Sequence, residues 1–296
     1  MQTLTRAQLA LLAALTLTWG LNWPVMKLGV TGYPPLGFRS LSMWLGLPVL
    51  GLAMVAMKLP LRIPRRHWPE LLGLSATNMF VWQACMILAL VQLSSGRAAI
   101  LGYTMPIFSA VIGALLFSTR LARRGWLGVG AAATGVVLLL WHELTALAGR
   151  PMGVALALVA AATWALGTQM LRRSRIEVPV LTLSFWMTAL TAAVMTVLSA
   201  LLEGDQWRAP PPAVAAAIAY NAVLIFGFAQ VIWLSLARNL PPVASSLSVM
   251  LIPVLGLFSG ALWLGEVLHW QDWAAVALMV VALASVLWPA PRVATA

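Results

Sequence analysis

Apolar residues run along this chain in blocks of about 20, and the polar residues gather between the blocks. A block of that length, wound at 1.5 Å per residue, reaches across the roughly 30 Å hydrocarbon core of a bilayer. The pattern predicts about ten such helices, over 8–28, 35–57, 69–91, 97–117, 126–142, 151–171, 179–202, 214–236, 244–265 and 271–289. The alternating strands of about ten residues that build a membrane barrel are not seen. The connections are mostly short, and none has the length of a separate soluble domain. The first block is read as a retained span: it is long for the apolar core of a secretory leader, and no convincing small-residue cleavage site follows it.

The blocks repeat. A shift of 147 positions lays Gln83 on Gln230, Pro106 on Pro253, Gly113-Ala114-Leu115 on Gly260-Ala261-Leu262, Trp126 on Trp273 and Leu140-Trp141 on Leu287-Trp288. A shift of 145 lays Thr18-Trp19 and Lys27 on Thr163-Trp164 and Arg172. The predicted fold is therefore an all-α membrane protein of about ten transmembrane helices in two five-helix repeats, 1–147 and 148–296. Each repeat holds an odd number of spans, so the second is inverted relative to the first. Inverted repeats of this kind place a binding site where the halves meet. The boundary near Gly149-Arg150-Pro151 reads as a turn followed by a helix start.

Composition agrees with a membrane setting, with 62% hydrophobic and only 8% charged residues. The net charge of +11 would suit a nucleic-acid binder, but its placement argues for topology instead. With both termini in the cytoplasm, thirteen Lys and Arg fall on the cytoplasmic side and five (Lys27, Arg39, Arg97, Arg150, Arg208) at or toward the outside. The basic runs then meet lipid headgroups, and no nucleic-acid partner is expected. Lone Cys85 and the scattered His67, His142 and His269 suggest neither a metal site nor a cofactor.

Polar groups within apolar spans are costly unless they are paired or face water, so they mark candidate sites. They are Asn22, Asn78, Gln83, Gln169, Asn221 and Gln230, with Tyr103 and Ser248 as weaker cases. Side-chain amides both donate and accept, which suits an uncharged or zwitterionic solute. The competing reading is hydrogen bonding between helices. Trp19, Trp82 and Trp164 lie too deep for an interfacial belt and offer rings for stacking; Met79, Met105, Met170 and Met250 offer adaptable walls. Pro106 and Pro253 are expected to kink spans four and nine and to free the carbonyls of Gly102 and Val249. All seven acids fall near span ends or in loops, which leaves the centre without a carboxylate to carry protons or sodium. An intramembrane hydrolase needs a nucleophile with a base, or acidic metal ligands, near the midplane, so no enzymatic activity is expected. Lys27 and Arg39 are placed toward the outer face, level with Glu266. There they would pair or reach the headgroups, with contact to a carboxylate as the alternative.

Thr18-Trp19-Gly20, Lys27, Arg39, the stretch Pro106 to Leu121, and Pro253 through Gly265-Glu266 to Leu268 resemble the ten-helix EamA-type branch of the drug/metabolite transporter superfamily. The likeness covers nearly the whole chain, with one departure: Ser118-Thr119 stands where the second repeat has Gly265-Glu266. It implies a multi-pass bacterial inner-membrane carrier working by alternating access, similar to the YddG-like exporters of aromatic and other neutral amino acids. The expected solute is a small neutral or zwitterionic metabolite bound around Trp19, Asn22, Asn78, Trp82, Gln83, Tyr103, Trp164, Gln169, Gln230 and Ser248. Alternatives are another metabolite or multidrug exporter of the same fold, or a lipid flippase or scramblase. Two fused halves complete a path within one chain, so a functional monomer is expected.

Overall fold

The computed structural model describes residues 6–117, 123–145, 150–239 and 251–287, and every regular element among them is helical. The helices are α1 (Arg6–Gly32), α2 (Pro35–Ala56), α3 (Arg65–Gln92), α4 (Ser95–Phe117) and α5 (Arg123–Thr145). They continue with α6 (Pro151–Arg172), α7 (Val180–Glu203), α8 (from Pro212 through Asn239), α9 (Ile252–Leu264) and α10 (Trp270–Leu287). Helix is what an apolar block must form in lipid, where each backbone group needs a partner within its own segment. Six of the helices, α2, α3, α4, α6, α7 and α8, are long and apolar enough to cross a membrane; α5, α9 and α10 contain shorter apolar stretches. Leu52, Val55, Leu115, Leu201 and Leu262 stand more than two-thirds exposed, giving the bundle the apolar outer surface that lipid requires.

Chain punctuation follows residue chemistry. Pro35, Pro151 and Pro212 sit in the first turns of their helices, where a missing N–H costs nothing. Gly265 closes α9 in the left-handed conformation at φ 65°, which favours glycine.

The packing is two-fold in character. Matching α1–α5 to α6–α10 in order, α2 packs on α7, α4 on α9 and α5 on α10. The remaining large contacts come in matched pairs: α1–α9 with α6–α4, α1–α8 with α6–α3, and α2–α8 with α7–α3. Both α3 and α8 contain a wide-turned π segment, Ala76–Phe80 in one and Asn221–Ala229 in the other. The 147-residue shift carries 76–80 onto 223–227, so the two segments coincide.

The chain breaks α4 where Pro106 demands it. Regular helix stops at Gly102 and resumes at Met105, with Tyr103 and Thr104 forming a turn. Pro106 lacks the N–H that would have continued the ladder. Pro253 stands in the first turn of α9 as described, and residues 240–250, with the Val249 carbonyl that a kink was expected to free, lie outside the described residues.

One end of the bundle is clasped by carboxylates. The Glu203 carboxylate, at the end of α7, accepts from the backbone N–H of Leu36 (3.0 Å) and Gly37 (2.8 Å) in the first turn of α2. Lys27 Nζ donates to the carbonyls of Leu90 and Leu93, both at 2.8 Å, and so closes the end of α3. Arg97 pairs with the buried Asp272 at 2.7 Å. Lys27 thus caps a helix end, a role the sequence did not suggest.

Candidate functional site

Four residues of α1, Trp19, Asn22, Trp23 and Met26, recur at the i, i+3, i+4 and i+7 spacing that puts them on one helix face. That face lines a cavity between the helices. Arg39 of α2, Trp82, Gln83 and Met86 of α3, Tyr103 and Met105 of α4, Trp164 of α6, and Ile225 and Gln230 of α8 complete the described lining. Helices from both repeats therefore build one chamber.

The π segments help aim the glutamines. An α-helix turns about 100° per residue, and a wide turn changes the phase of everything after it. Gln83 follows the Ala76–Phe80 segment by three residues, and Gln230 directly follows Asn221–Ala229. Both amides are buried, 5% and 3% exposed, and both face the chamber. Gly167 of α6 lets that helix press on the first of these segments: a Cβ there would lie 2.6–2.7 Å from Asn78. The tryptophans are likewise paired across helices. Trp19 packs on Trp233 with ring centroids 5.4 Å apart, and Trp164 packs on Trp82 at 4.9 Å. Tilted contacts of this kind hold the rings in place while leaving an edge or face free.

Arg39 departs most from expectation. It is only 2% exposed and lines the chamber, where the sequence had placed it toward the outer face, in an ion pair, at the headgroups or as an external contact for a carboxylate. The reason is that the first turn of α2 is itself buried, with Leu36, Gly37, Phe38 and Ser40 all inside the bundle. One guanidinium nitrogen donates to Asn221 Oδ1 at 3.0 Å and another to Met26 Sδ. The rings of Phe38 and Phe226 stand 5.9 and 5.7 Å from its centre. Among the described residues no carboxylate pairs with it.

Several buried polar atoms at this chamber have no partner: Asn22 Oδ1, Arg39 Nε, Trp164 Nε1 and Gln230 Nε2. Natively buried polar atoms are nearly always satisfied by protein or by ordered water, so these four are the atoms of the chamber with hydrogen-bonding capacity left for water or a solute. The set holds three donors and one acceptor.

The structure brings together seven of the candidates: Trp19, Asn22, Trp82, Gln83, Tyr103, Trp164 and Gln230. Asn78 and Gln169 stand outside the described lining. Asn78 Nδ2 reaches the Trp164 carbonyl (3.4 Å) and Thr168 Oγ1 (3.3 Å), and Gln169 Nε2 donates to the Ser109 carbonyl (3.0 Å) and hydroxyl (2.8 Å). Gln169 also accepts from Arg173 at 2.6 Å. Both amides thus join helices or neighbouring turns. Ser248 and Met250 lie outside the described residues. Of the other methionines, Met105 lines the chamber, whereas Met79 is fully buried away from it and Met170 packs over Gly73. Trp23, Met26, Arg39, Met86 and Ile225 were not singled out as lining residues. The α1 spacing carried the signal for Trp23 and Met26.

Comparison with known proteins agrees with this architecture. The profile described as the EamA-like transporter family matches twice, over residues 6–141 and 151–288. The Escherichia coli (strain K12) protein named "Uncharacterized inner membrane transporter YedA" is 28% identical over 293 residues, covering 95% of this chain and 92% of that one. A Salmonella typhimurium protein named "Probable amino-acid metabolite efflux pump" is 28% identical over 274 residues, with 90% and 89% covered. A "Probable terminal-alkyne amino-acid exporter" of Streptantibioticus cattleyicolor is 28% identical over 260 residues, with 84% and 83% covered. A solved crystal structure shares the fold with a TM-score of 0.68 at 22% identity, covering 93% of this chain and 96% of the other.

Proposed function

Since the chain belongs to the EamA-like transporter family, within the drug/metabolite transporter superfamily, we propose that it exports small neutral or zwitterionic metabolites, chiefly amino acids with aromatic ones among them. Membership makes it a multi-pass membrane transporter rather than an enzyme. The observation that carries the narrower reading is the chamber itself. It is lined from both repeats, its repeat-related Gln83 and Gln230 and its Trp19 and Trp164 offer amides and rings, and no carboxylate lines it among the described residues. The names of two relatives, "Probable amino-acid metabolite efflux pump" and "Probable terminal-alkyne amino-acid exporter", support a solute of this kind and the outward direction.

In this reading the chain crosses the bacterial inner membrane ten times, with both termini in the cytoplasm, and repeats 1–147 and 148–296 are inverted. A rocking motion of one repeat against the other exposes the fixed site to each side in turn. Trp19, Gln83, Trp164 and Gln230 touch the solute. A single chain holds the whole path and works as a monomer.

The test is flux in liposomes. Purified protein should carry labelled Phe, Trp, Met or Thr saturably, with competition by excess unlabelled compound. Folded protein that moves none of these, yet moves an unrelated drug or a lipid, would remove the amino-acid assignment and leave the carrier fold.

A further inference from the structure

We propose that Arg39 is the carboxylate receptor of the chamber, so that the solute must carry a carboxylate on an apolar or aromatic body. This rests on the carrier reading above and narrows it.

The first argument is charge. A guanidinium stays protonated in proteins, so Arg39 is a fixed cation inside an apolar bundle. Buried charges are normally paired, because removing an ion from water is costly without a counter-ion. Arg39 has an amide oxygen, a thioether sulfur and two ring faces around it. These contacts orient and partly solvate the cation, but none neutralises it. Three acids of the bundle are committed elsewhere: Glu203 to the N–H groups of Leu36 and Gly37, Glu266 to Ser95, and Asp272 to Arg97.

The second argument is geometry. Arg39 lines the chamber and its Nε has no partner. Nε and Nη2 form the fork that takes a carboxylate through two parallel hydrogen bonds; Nη2 carries two N–H groups, of which the Met26 sulfur takes one. The other terminal nitrogen is held by Asn221 Oδ1, which fixes the plane of the fork before any solute arrives. Gln230 Nε2 and Trp164 Nε1 add unpaired donors to the same chamber.

The third argument is the single unpaired acceptor. Asn22 Oδ1 has no partner, and Asn22 precedes Met26 by one helical turn on the same face of α1. Met26 is the residue whose sulfur touches Arg39. Asn22 and Met26 are thus one turn apart on α1, roughly 5–6 Å between Cβ atoms, and both line the chamber with Arg39. An α-amino acid presents a carboxylate and an ammonium on one carbon and fits that pair. Its side chain would then lie among Trp19, Trp23, Trp82 and Tyr103.

The experiment compares four compounds with one aromatic body as competitors of labelled phenylalanine in liposomes: phenylalanine, 3-phenylpropionate, phenylalaninamide and phenethylamine. Phenylalanine and 3-phenylpropionate are expected to compete, and the two compounds without a carboxylate to require roughly 30-fold higher concentration or more, the loss of a charge-assisted bond. Equal competition by phenethylamine would overturn the inference while leaving the carrier reading intact. Arg39→Met should lose competition by the carboxylates to a similar degree, and Arg39→Lys, which keeps the charge without the fork, should fall between. Thermal unfolding without solute checks that the variants are folded. If chloride alone explains the cation, carboxylate-free solutes will be carried whenever chloride is present, which would also overturn it. If no compound is carried at all, the amino-acid reading falls. The Arg39 inference is then read from thermal stabilisation of the wild-type protein, expected with 3-phenylpropionate, absent with phenethylamine, and lost in Arg39→Met. No stabilisation by 3-phenylpropionate would overturn it.

Discussion

Glu266, just past the end of α9, reaches the first turn of α4, where its carboxylate accepts from the Ser95 N–H at 2.7 Å and the Ser95 hydroxyl at 2.8 Å. Glu203 makes the equivalent bridge from the end of α7 to Leu36 and Gly37 of α2. Each bridge ties a helix of the second repeat to the positive N-terminal end of a helix in the first. Both lie at the same end of the bundle as Lys27, Arg97 and Asp272. Neither has a counterpart from the first repeat, where Met57-Lys58 and Ser118-Thr119 occupy the matching places. Glu70 of α3 also ties the repeats, accepting from the Arg175 N–H at 3.0 Å, and a carrier that opens at the Glu203 and Glu266 end must break those two bridges once per cycle.

Removing the clasp should favour the conformation open at that end. In a Cys85→Ser background, a Met86→Cys probe in the chamber should react several-fold faster with an impermeant alkylating reagent when Glu266→Ala is added. The loss of a helix-capping carboxylate, about 1 kcal/mol, corresponds to a change of that order in the open population. An unchanged alkylation rate, from protein that still unfolds cooperatively, would reduce Glu266 to a local cap.

The repeat-related amides should act on affinity. Gln83→Ala and Gln230→Ala are each expected to weaken half-saturation by roughly 3- to 30-fold, the range for losing one or two hydrogen bonds to a solute. Melting temperature should hardly change for Gln230→Ala, since Gln230 Nε2 has no partner to lose. Transport parameters unaffected in both variants would remove the two glutamines from the site.

Much of this chamber was legible in the sequence because it is built from repeated features. The shifts that pair Gln83 with Gln230 and Trp19 with Trp164 mark residues the chain uses twice, and all four line one cavity. What the sequence withheld is rotation. In a helix that is apolar on all sides, the lipid face and the packed face read alike, so hydropathy gives a span but not its facing. Asn78 and Gln169 are as polar as Gln83, yet they turn toward neighbouring helices. The π segments are a second silent feature: Ala76–Phe80 and Asn221–Ala229 hold Asn, and the second holds Gly227, but residues of these types also stand elsewhere in this chain in ordinary α-helix, as Asn22 and Gly20 do in α1. Arg39 was misplaced for a third reason: four residues into α2 means a shallow depth only if the helix end is exposed, and this one is buried.

The π segment of α3 should depend on the glycine beside it. A Cβ at Gly167 would stand 2.7 Å from the Asn78 backbone nitrogen, closer than real Cβ atoms approach, so α6 would have to move away. Gly167→Ala is expected to cost about 1–3 kcal/mol, in the range of overpacking a core. It should also weaken solute binding, because Trp82, Gln83 and Trp164 flank this contact. Gly130 of α5 has nothing within 4 Å of its would-be Cβ, and Gly130→Ala should change stability by no more than about 0.5 kcal/mol. Thermal unfolding of both variants in one detergent provides the comparison; equal melting temperatures would show that the α6–α3 contact yields easily.

The absence of a central acid bears on energy coupling. Proton-driven carriers move the proton on a carboxylate or histidine that both sides of the membrane reach in turn. Of the seven acids here, Glu203, Glu266 and Asp272 are spent on helix ends and on Arg97, Glu70 bonds the Arg175 backbone, and Glu143, Glu177 and Asp205 lie near span ends or in loops. No described residue lining the chamber is an acid or a histidine. A fixed cation at Arg39 cannot shuttle protons, since it never releases one. Flux down a solute gradient should therefore change little, by less than about twofold, when the proton gradient is collapsed, well below the tenfold that one proton at one pH unit would supply. Counterflow of labelled against unlabelled solute should persist without any gradient. A complete loss of uphill transport on adding a protonophore would show that a proton path exists, and that it runs through residues other than those of this chamber.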